Sequence, residues 1–393
     1  MPQTTNRIFS IDLLRGIVMI LMALDHVRDF MHNDAFLHEP LDLTSTTPLL
    51  FFTRWITHYC APVFVFLSGV SAYLMGLKKN KAELAGFLIK RGLWLIFIEF
   101  AIVGLGWTFD LHYKIFVFQV IGAIGMSMFI LGLLVRLPYT LIFIIGIALV
   151  FGHNLLDNIE FSMEGILGLM GSLMHGHAFT VFPVTQNHSL LIIYGFLPWT
   201  GIMLCGYCVG KLFEPNQYPG KRKKVLLYAG INLLILFIAL RLINAYGDPA
   251  YWMVQKNSFY TFLSFINVNK YPPSLMYTCL TLGPALILIS LTENLRNPFT
   301  QKMAVFGRVP FFYYIIHIYV IHLITVIVFY ATGFSTADIQ TPGSPFLFRP
   351  ATLGFNLYFV YAIWIGLIIV LYPICSWYNN YKTKNKHWWL SYL

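Results

Sequence analysis

The sequence predicts an all-α polytopic membrane protein of about ten transmembrane helices, with its N- and C-termini in the cytoplasm. Three observations carry that expectation. Of the 393 residues, 58% are apolar and only 11% are charged, and the mean hydropathy is +0.69. Soluble domains run near half apolar and a quarter charged, so this composition excludes a water-soluble globule, a disordered chain and a nucleic-acid reader. Apolar stretches long enough to cross the hydrocarbon recur along the chain, and at roughly 35 to 40 residues for a span with its loop the length holds about ten. The basic residues behind the formal charge of +10 also keep to one side from loop to loop, as the positive-inside rule requires. Residues 1–393 are therefore expected to form a single transmembrane domain in a cell (inner) membrane.

The spans are placed in order near 9–31, 49–77, 84–108, 113–135 and 137–153, then 189–213, 223–246, 271–293, 303–331 and 355–378. The first is apolar apart from charges near its two ends and lacks a small-residue cleavage site, so it reads as a retained anchor. The second is overlong and contains Pro62, which removes a helical hydrogen bond and kinks or splits it. The third follows Lys78, Lys79 and Lys81 and holds Glu99, a carboxylate that needs a polar partner. Arg136 separates the fourth span from the fifth, and the Gly- and His-rich stretch 154–188 beyond them is extracytoplasmic, with room for a re-entrant segment. The sixth span carries Cys205 and Cys208, which like the other three cysteines lie in or beside apolar runs and read as reduced packing residues. The run Lys221 to Lys224 precedes the seventh, Arg296 and Lys302 follow the eighth, and Lys382, Lys384 and Lys386 follow the tenth. Against this cytoplasmic set the other side receives only Arg28, Arg54, Lys114, Arg241, Lys256, Lys270 and Arg349.

A charge inside a span is costly and usually faces a protein interior or cavity, so the buried ionisable groups point towards function. Asp12 and Arg15 are three residues apart on one face of the first helix. Arg15 and His26 are eleven apart, which is almost three helical turns, so both fall on one stripe about 16 Å apart along the axis. One stripe thus carries an anion-binding guanidinium near the cytoplasm and a titratable imidazole near the other surface. That spacing suits an extended thioester arm whose phosphates stay inside; an Asp12–Arg15 staple with a headgroup-zone histidine fits it too. Towards the outside stand His32, His38, and Arg54 with His58 at i and i+4; His153 and Asp157 are one turn apart with Asn154 between them. An imidazole oriented by a carboxylate is a common form of general base. Towards the inside stand Lys90, Arg91 and Arg308, cations of the kind that phosphates need. The spacing of His26, His32, His38 and His58 matches no compact ligand pattern, so no metal is expected.

The stretch Ser10-Ile-Asp-Leu-Leu-Arg-Gly16 through Asp25-His26 resembles the opening motif of the transmembrane acyltransferase superfamily. Ala61-Pro-Val-Phe-Val-Phe-Leu-Ser-Gly69, Lys90-Arg91 and Phe306-Gly-Arg-Val-Pro-Phe-Phe-Tyr-Tyr-Ile-Ile-His317 resemble its later landmarks. With Arg54-Trp-Ile-Thr-His58 and Lys270-Tyr-Pro-Pro-Ser274, the pattern is most similar to bacterial relatives of heparan-alpha-glucosaminide N-acetyltransferase. The resemblance implies transfer of an acetyl group from cytoplasmic acetyl-CoA to an extracytoplasmic saccharide or glycolipid acceptor. It implies His26 as base or acyl carrier, with Asp25 beside it and His38 as the position nearest the histidine used by the lysosomal branch. Arg15, Asp12, Ser68, Lys90, Arg91 and Arg308 would hold the donor. Arg54, His58, His153, Asn154, Asp157 and Lys270 would face the acceptor. A homodimer is compatible with the resemblance. A proton-coupled transporter of a sugar or lipid-linked anion, using Asp12, His26 and Glu99, is the alternative from another class.

Overall fold

In the computed structural model, which describes residues 7–33, 35, 37–159, 161, 164–176, 179–340 and 344–391, the chain is mostly helix. In chain order the helices are α1 (Phe9–Met31), α2 (Pro48–Ile56), α3 (Cys60–Gly76), α4 (Lys81–Ile98), α5 (Gly104–Thr108), α6 (Val120–Leu134) and α7 (Tyr139–Gly152). They continue with α8 (Gly165–His175), α9 (Phe196–Val209), α10 (Pro219–Ile243), α11 (Ser258–Ile266), α12 (Leu275–Thr292), α13 (Pro298–Arg308), α14 (Pro310–Ala331) and α15 (Leu357–Lys384). Among the described residues, seven rods are long and apolar enough to cross a membrane: α2 with α3, α7 with its terminal turn, α9 with its terminal turn, α10, α12, α14 and α15. Other rods pack with them. The α4–α5 rod and the shorter α6 pack together, and α1, which carries several charges, packs against α3, α12, α13, α14 and α15. Its charges are thereby kept away from lipid, which is the condition for their presence in a span.

Local chemistry explains where the rods start and break. Asn80 caps α4 in a reciprocal box with Glu83, and Thr47, Ser274 and Asn356 cap α2, α12 and α15 through their side chains. The overlong second stretch breaks at a 3-10 turn, Thr57–Tyr59, just before Pro62 in the first turn of α3. The expected helix over 303–331 is two helices, because the residue before a proline is disfavoured in the helical region. Val309, at φ −131° and ψ 48°, leaves the helix, and Pro310 opens α14. Arg308 therefore ends α13 rather than lying inside a span.

Glycine permits the closest helix crossings, as at α1–α13 and α3–α9. A Cβ on Gly16 would lie 2.0 Å from the Met303 carbonyl oxygen, and one on Gly307 1.9 Å from the Asp12 oxygen, so α1 and α13 touch backbone to backbone. Gly69 and Gly206 make the same reciprocal approach between α3 and α9, each with 2.1 Å to the facing oxygen. Small residues at a crossing are how helices associate where hydrophobic burial gives no drive.

The alternation of the rods places both described termini at one end, as expected. Lys81 Nζ donates to the Arg136 and Leu137 carbonyls, Arg222 pairs with Glu293, and Lys382 stands with Arg15 and Arg91. At the other end lies a feature that hydropathy did not reveal, a three-stranded sheet of order β1–β3–β2. Strand β1 (Ile115–Phe118) pairs in parallel with β3 (Ser189–Ile192), and β2 (Thr180–Pro183) pairs antiparallel with it. Each strand has four residues, and β1 runs into the apolar stretch of α6, so a span-length window merges the two. The 154–188 stretch, expected to leave room for a re-entrant segment, contains the short helix α8 and the strand β2.

Candidate active site

Arg15 enters the site from the face of α1 that crosses α13. Its guanidinium donates to the Gly307 carbonyl (3.4 Å) and to Ser71 Oγ (3.0 Å), and lies 3.8 Å from Asp12. Asp12 is shared with Arg308, at 3.7 Å. Beside them opens a cavity of about 300 Å³. Its mouth is cationic, with Arg15, Arg91, Arg308 and Lys382, and its walls are apolar, with Met19, Met22, Leu95, Ile121 and Met128 among the lining residues. Ser68 lines it as well, and Tyr314 forms part of the wall. Lys90, expected beside Arg91, is exposed and does not line it; Lys382, from the last helix, does.

Along α1 the lining positions Arg15, Met19 and Met22 are spaced by four and three residues, and four further on stands His26. This is the stripe that helical geometry predicts. The His26 ring is only half-buried, in an aromatic box: Trp107 meets it edge-on at 4.8 Å between centroids and Tyr314 at 6.1 Å. Its Nδ1 lies 2.7 Å from Nε2 of the stacked His317, whose own Nδ1 lies 2.9 Å from the Tyr313 carbonyl. A carbonyl only accepts, so His317 Nδ1 carries the proton and, in the neutral ring, Nε2 is an acceptor. His26 Nδ1 must then donate, which leaves the lone pair of a neutral His26 on Nε2. In the sequence His317 stands out only as the end of the Phe306–His317 landmark and not as a partner of His26, because 291 residues separate the two.

Asp25, the neighbour of His26, points elsewhere. It accepts from Arg54 (2.6 Å) and Arg28 (2.9 Å), with Lys270 Nζ at 3.9 Å. Arg28 also pairs with Asp29 at 2.5 Å, and Arg54 donates to Thr57 Oγ1 and, at 3.5 Å, to Tyr271 OH. Three cations around this carboxylate make it the hub of an ion cluster. His58 is buried next to the Tyr277 ring, and neither of its ring nitrogens has a hydrogen-bond partner among the described residues. His38 lies exposed in the loop after α1. Glu99 is fully buried where a π-turn interrupts the α4–α5 rod, and accepts the Gln119 backbone N–H at 2.7 Å.

The expected His153–Asp157 pair does not form. Residues His153–Leu156 form a 3-10 turn, in which i and i+3 share a face. Asn154 Nδ2 accordingly donates to Asp157 Oδ2 at 2.7 Å, while His153 Nδ1 lies 3.1 Å from Nε2 of His175.

Residues 7–241, well over half of the chain, match the family model described as heparan-alpha-glucosaminide N-acetyltransferase, catalytic. No curated protein gives a significant match. The matched stretch contains the Arg15–His26 stripe, Ser68 and Arg91, although it ends before Arg308, His317 and Lys382. With a bundle of membrane-spanning helices built around that stripe, the chain belongs to the catalytic-domain family of heparan-alpha-glucosaminide N-acetyltransferase, a family of membrane acyltransferases.

Proposed function

We propose that the chain, acting as a single domain in a cell membrane, moves an acetyl group from acetyl-CoA at its basic end to a sugar hydroxyl or amino group at the other end. The observation that carries this reading is the cavity: a cationic mouth and an apolar barrel lined on α1 by Arg15, Met19 and Met22, with His26 one turn beyond the last of them and in ring contact with the lining residue Tyr314. Four cations suit the phosphates of the donor, since charge-assisted bonds to guanidinium groups are the strongest available to them. The apolar walls suit the uncharged pantetheine arm, and the half-buried ring of His26 suits a thioester brought to the depth of the site.

The hydrogen-bond chain gives His26 its chemistry. As the acceptor's oxygen or nitrogen attacks the thioester carbonyl carbon, His26 Nε2 takes its proton, the tetrahedral adduct collapses, and CoA leaves as the thiolate, which is then protonated. His317 Nε2 accepts from the His26 Nδ1–H throughout, so the positive charge that develops on the His26 ring is shared. The same lone pair can attack the carbonyl itself and carry the acetyl group to the acceptor in a second step. On this reading Arg54, Lys270 and His58, which cluster near Asp25 on the far side of His26, supply donors for acceptor hydroxyls.

The test is acetyl transfer. Purified protein with labelled acetyl-CoA and a panel of hexosamines and glycolipids is expected to release free thiol and label an acceptor, and His26→Ala to do neither. Unchanged thiol release by His26→Ala would overturn the reading.

A further inference from the structure

We infer that His153, Asp157 and His175 form a binding site for a divalent metal ion of the zinc class, at the end of the bundle opposite the cationic mouth. The site is separate from the His26 cavity and lies where the ends of α7 and α8 meet. Each residue offers one ligand atom, and the three atoms lie within 4.8 Å of one another. His175 Nε2 is the apex: it is 3.1 Å from His153 Nδ1 and 3.6 Å from Asp157 Oδ1. A tetrahedral zinc ion with bonds of about 2.0–2.1 Å holds its ligand atoms roughly 3.3 Å apart; the two edges at His175 lie close to that, and the third, between His153 and Asp157 and within 4.8 Å, has to close to it as the ion binds. A single N–H on His175 can bridge only one of the two edges, whereas a cation between the three atoms engages a lone pair from each.

The surroundings support the assignment. His153 presents its Nδ1 to the triangle, 3.1 Å from His175 Nε2, which leaves its buried Nε2 to carry the proton when an ion is bound. The carboxylate is oriented from behind, because Asn154 Nδ2 holds Asp157 Oδ2 and leaves Oδ1 turned to His175. Asn154 is itself fixed by accepting the Leu275 N–H at the start of α12. Outer partners of this kind set the direction of ligating groups. Two imidazoles and one carboxylate select zinc over magnesium or calcium, which prefer all-oxygen sets, and three protein ligands leave a fourth position for water. Such an ion would tie α8 to the end of α7. The expectation of no metal drew on the spacing of histidines along the chain and did not weigh these three residues together, so a site here goes beyond it.

The full-length protein, purified in detergent and dialysed against zinc-buffered solution, is expected to retain about one zinc ion per chain by elemental analysis. Cobalt in its place should give the visible absorption of a tetrahedral site. In His175→Ala and His153→Gln, zinc affinity should fall by more than the roughly 10- to 100-fold typical of losing an outer partner. Should these variants fail to fold, His175→Cys keeps the test decisive, because it should retain cobalt and add a thiolate charge-transfer band. Wild-type protein that holds no zinc after this dialysis, or folded His175→Ala that binds it as tightly as wild type, would overturn the inference. So would folded, cobalt-bound His175→Cys without the new band.

Discussion

Replacing His317 with leucine removes the acceptor for the His26 Nδ1–H, now 2.7 Å away, while keeping a side chain of similar bulk against Tyr313 and Tyr314. The orphaned N–H would cost about 1–3 kcal/mol if it stayed buried and unpaired. The ring escapes that cost by moving its proton to Nε2 and facing that N–H into the site, and in that tautomer it has no lone pair for the acceptor. The ring also loses the partner that shares the charge formed during attack. Groups that act as, or align, a general base contribute about 10²- to 10⁴-fold, so kcat in His317→Leu should fall by at least about 100-fold, or about 2.7 kcal/mol in barrier. KM for acetyl-CoA should hold steady, since Arg15, Arg91, Arg308 and Lys382 are untouched. His317→Gln, whose amide oxygen can accept the same proton, should recover part of the rate. Initial rates of thiol release across donor concentrations separate the two parameters. A His317→Leu enzyme within about twofold of wild-type kcat would refute this reasoning, as general-base assistance typically contributes about 10²- to 10⁴-fold.

Three further outcomes follow from the same geometry. Arg15→Ala should raise KM for acetyl-CoA by about 10- to 100-fold with a smaller change in kcat, because each charge-assisted bond to phosphate contributes about 1.5–3 kcal/mol; donor titrations at fixed acceptor read it. Gly307→Ala puts a methyl 1.9 Å from the Asp12 oxygen, so α13 must retreat by about 1.5 Å and carry Arg308 with it. Overpacking of this sort costs about 1–3 kcal/mol, visible as a lower melting temperature in detergent together with a higher donor KM. Asp25→Asn leaves Arg28, Arg54 and Lys270 without the carboxylate they share. It should destabilise the fold by about 3–5 kcal/mol, and a wild-type melting temperature would show that the cluster does not depend on it.

Much of this architecture is legible in the sequence, and the exceptions have physical causes. Hydropathy and charge bias anticipate the helical membrane bundle and the common side of the termini, because both reflect costs each segment meets on its own. The Arg15–His26 stripe is legible for the same reason: helical phase is a local property. What pattern reading misses depends on neighbours distant in the chain. His317 becomes the partner of His26 only when α14 packs on α1, and Lys382 reaches the mouth from the last helix. The break at Val309 was encoded by Pro310, but the apolar run on both sides concealed it. His153 and Asp157 read as a pair only under α-helical spacing, and the 3-10 turn gives Asp157 to Asn154 instead.

The central claim is that an acyl donor enters at the cationic mouth and lies along α1 to His26. A cryo-electron microscopy map of the protein with acetyl-CoA tests it most directly. The account predicts phosphate density against Arg15, Arg91, Arg308 and Lys382, with the thioester carbonyl beside His26 Nε2. Donor density outside the cavity, or a lipid chain filling it while the nucleotide binds elsewhere, would contradict it.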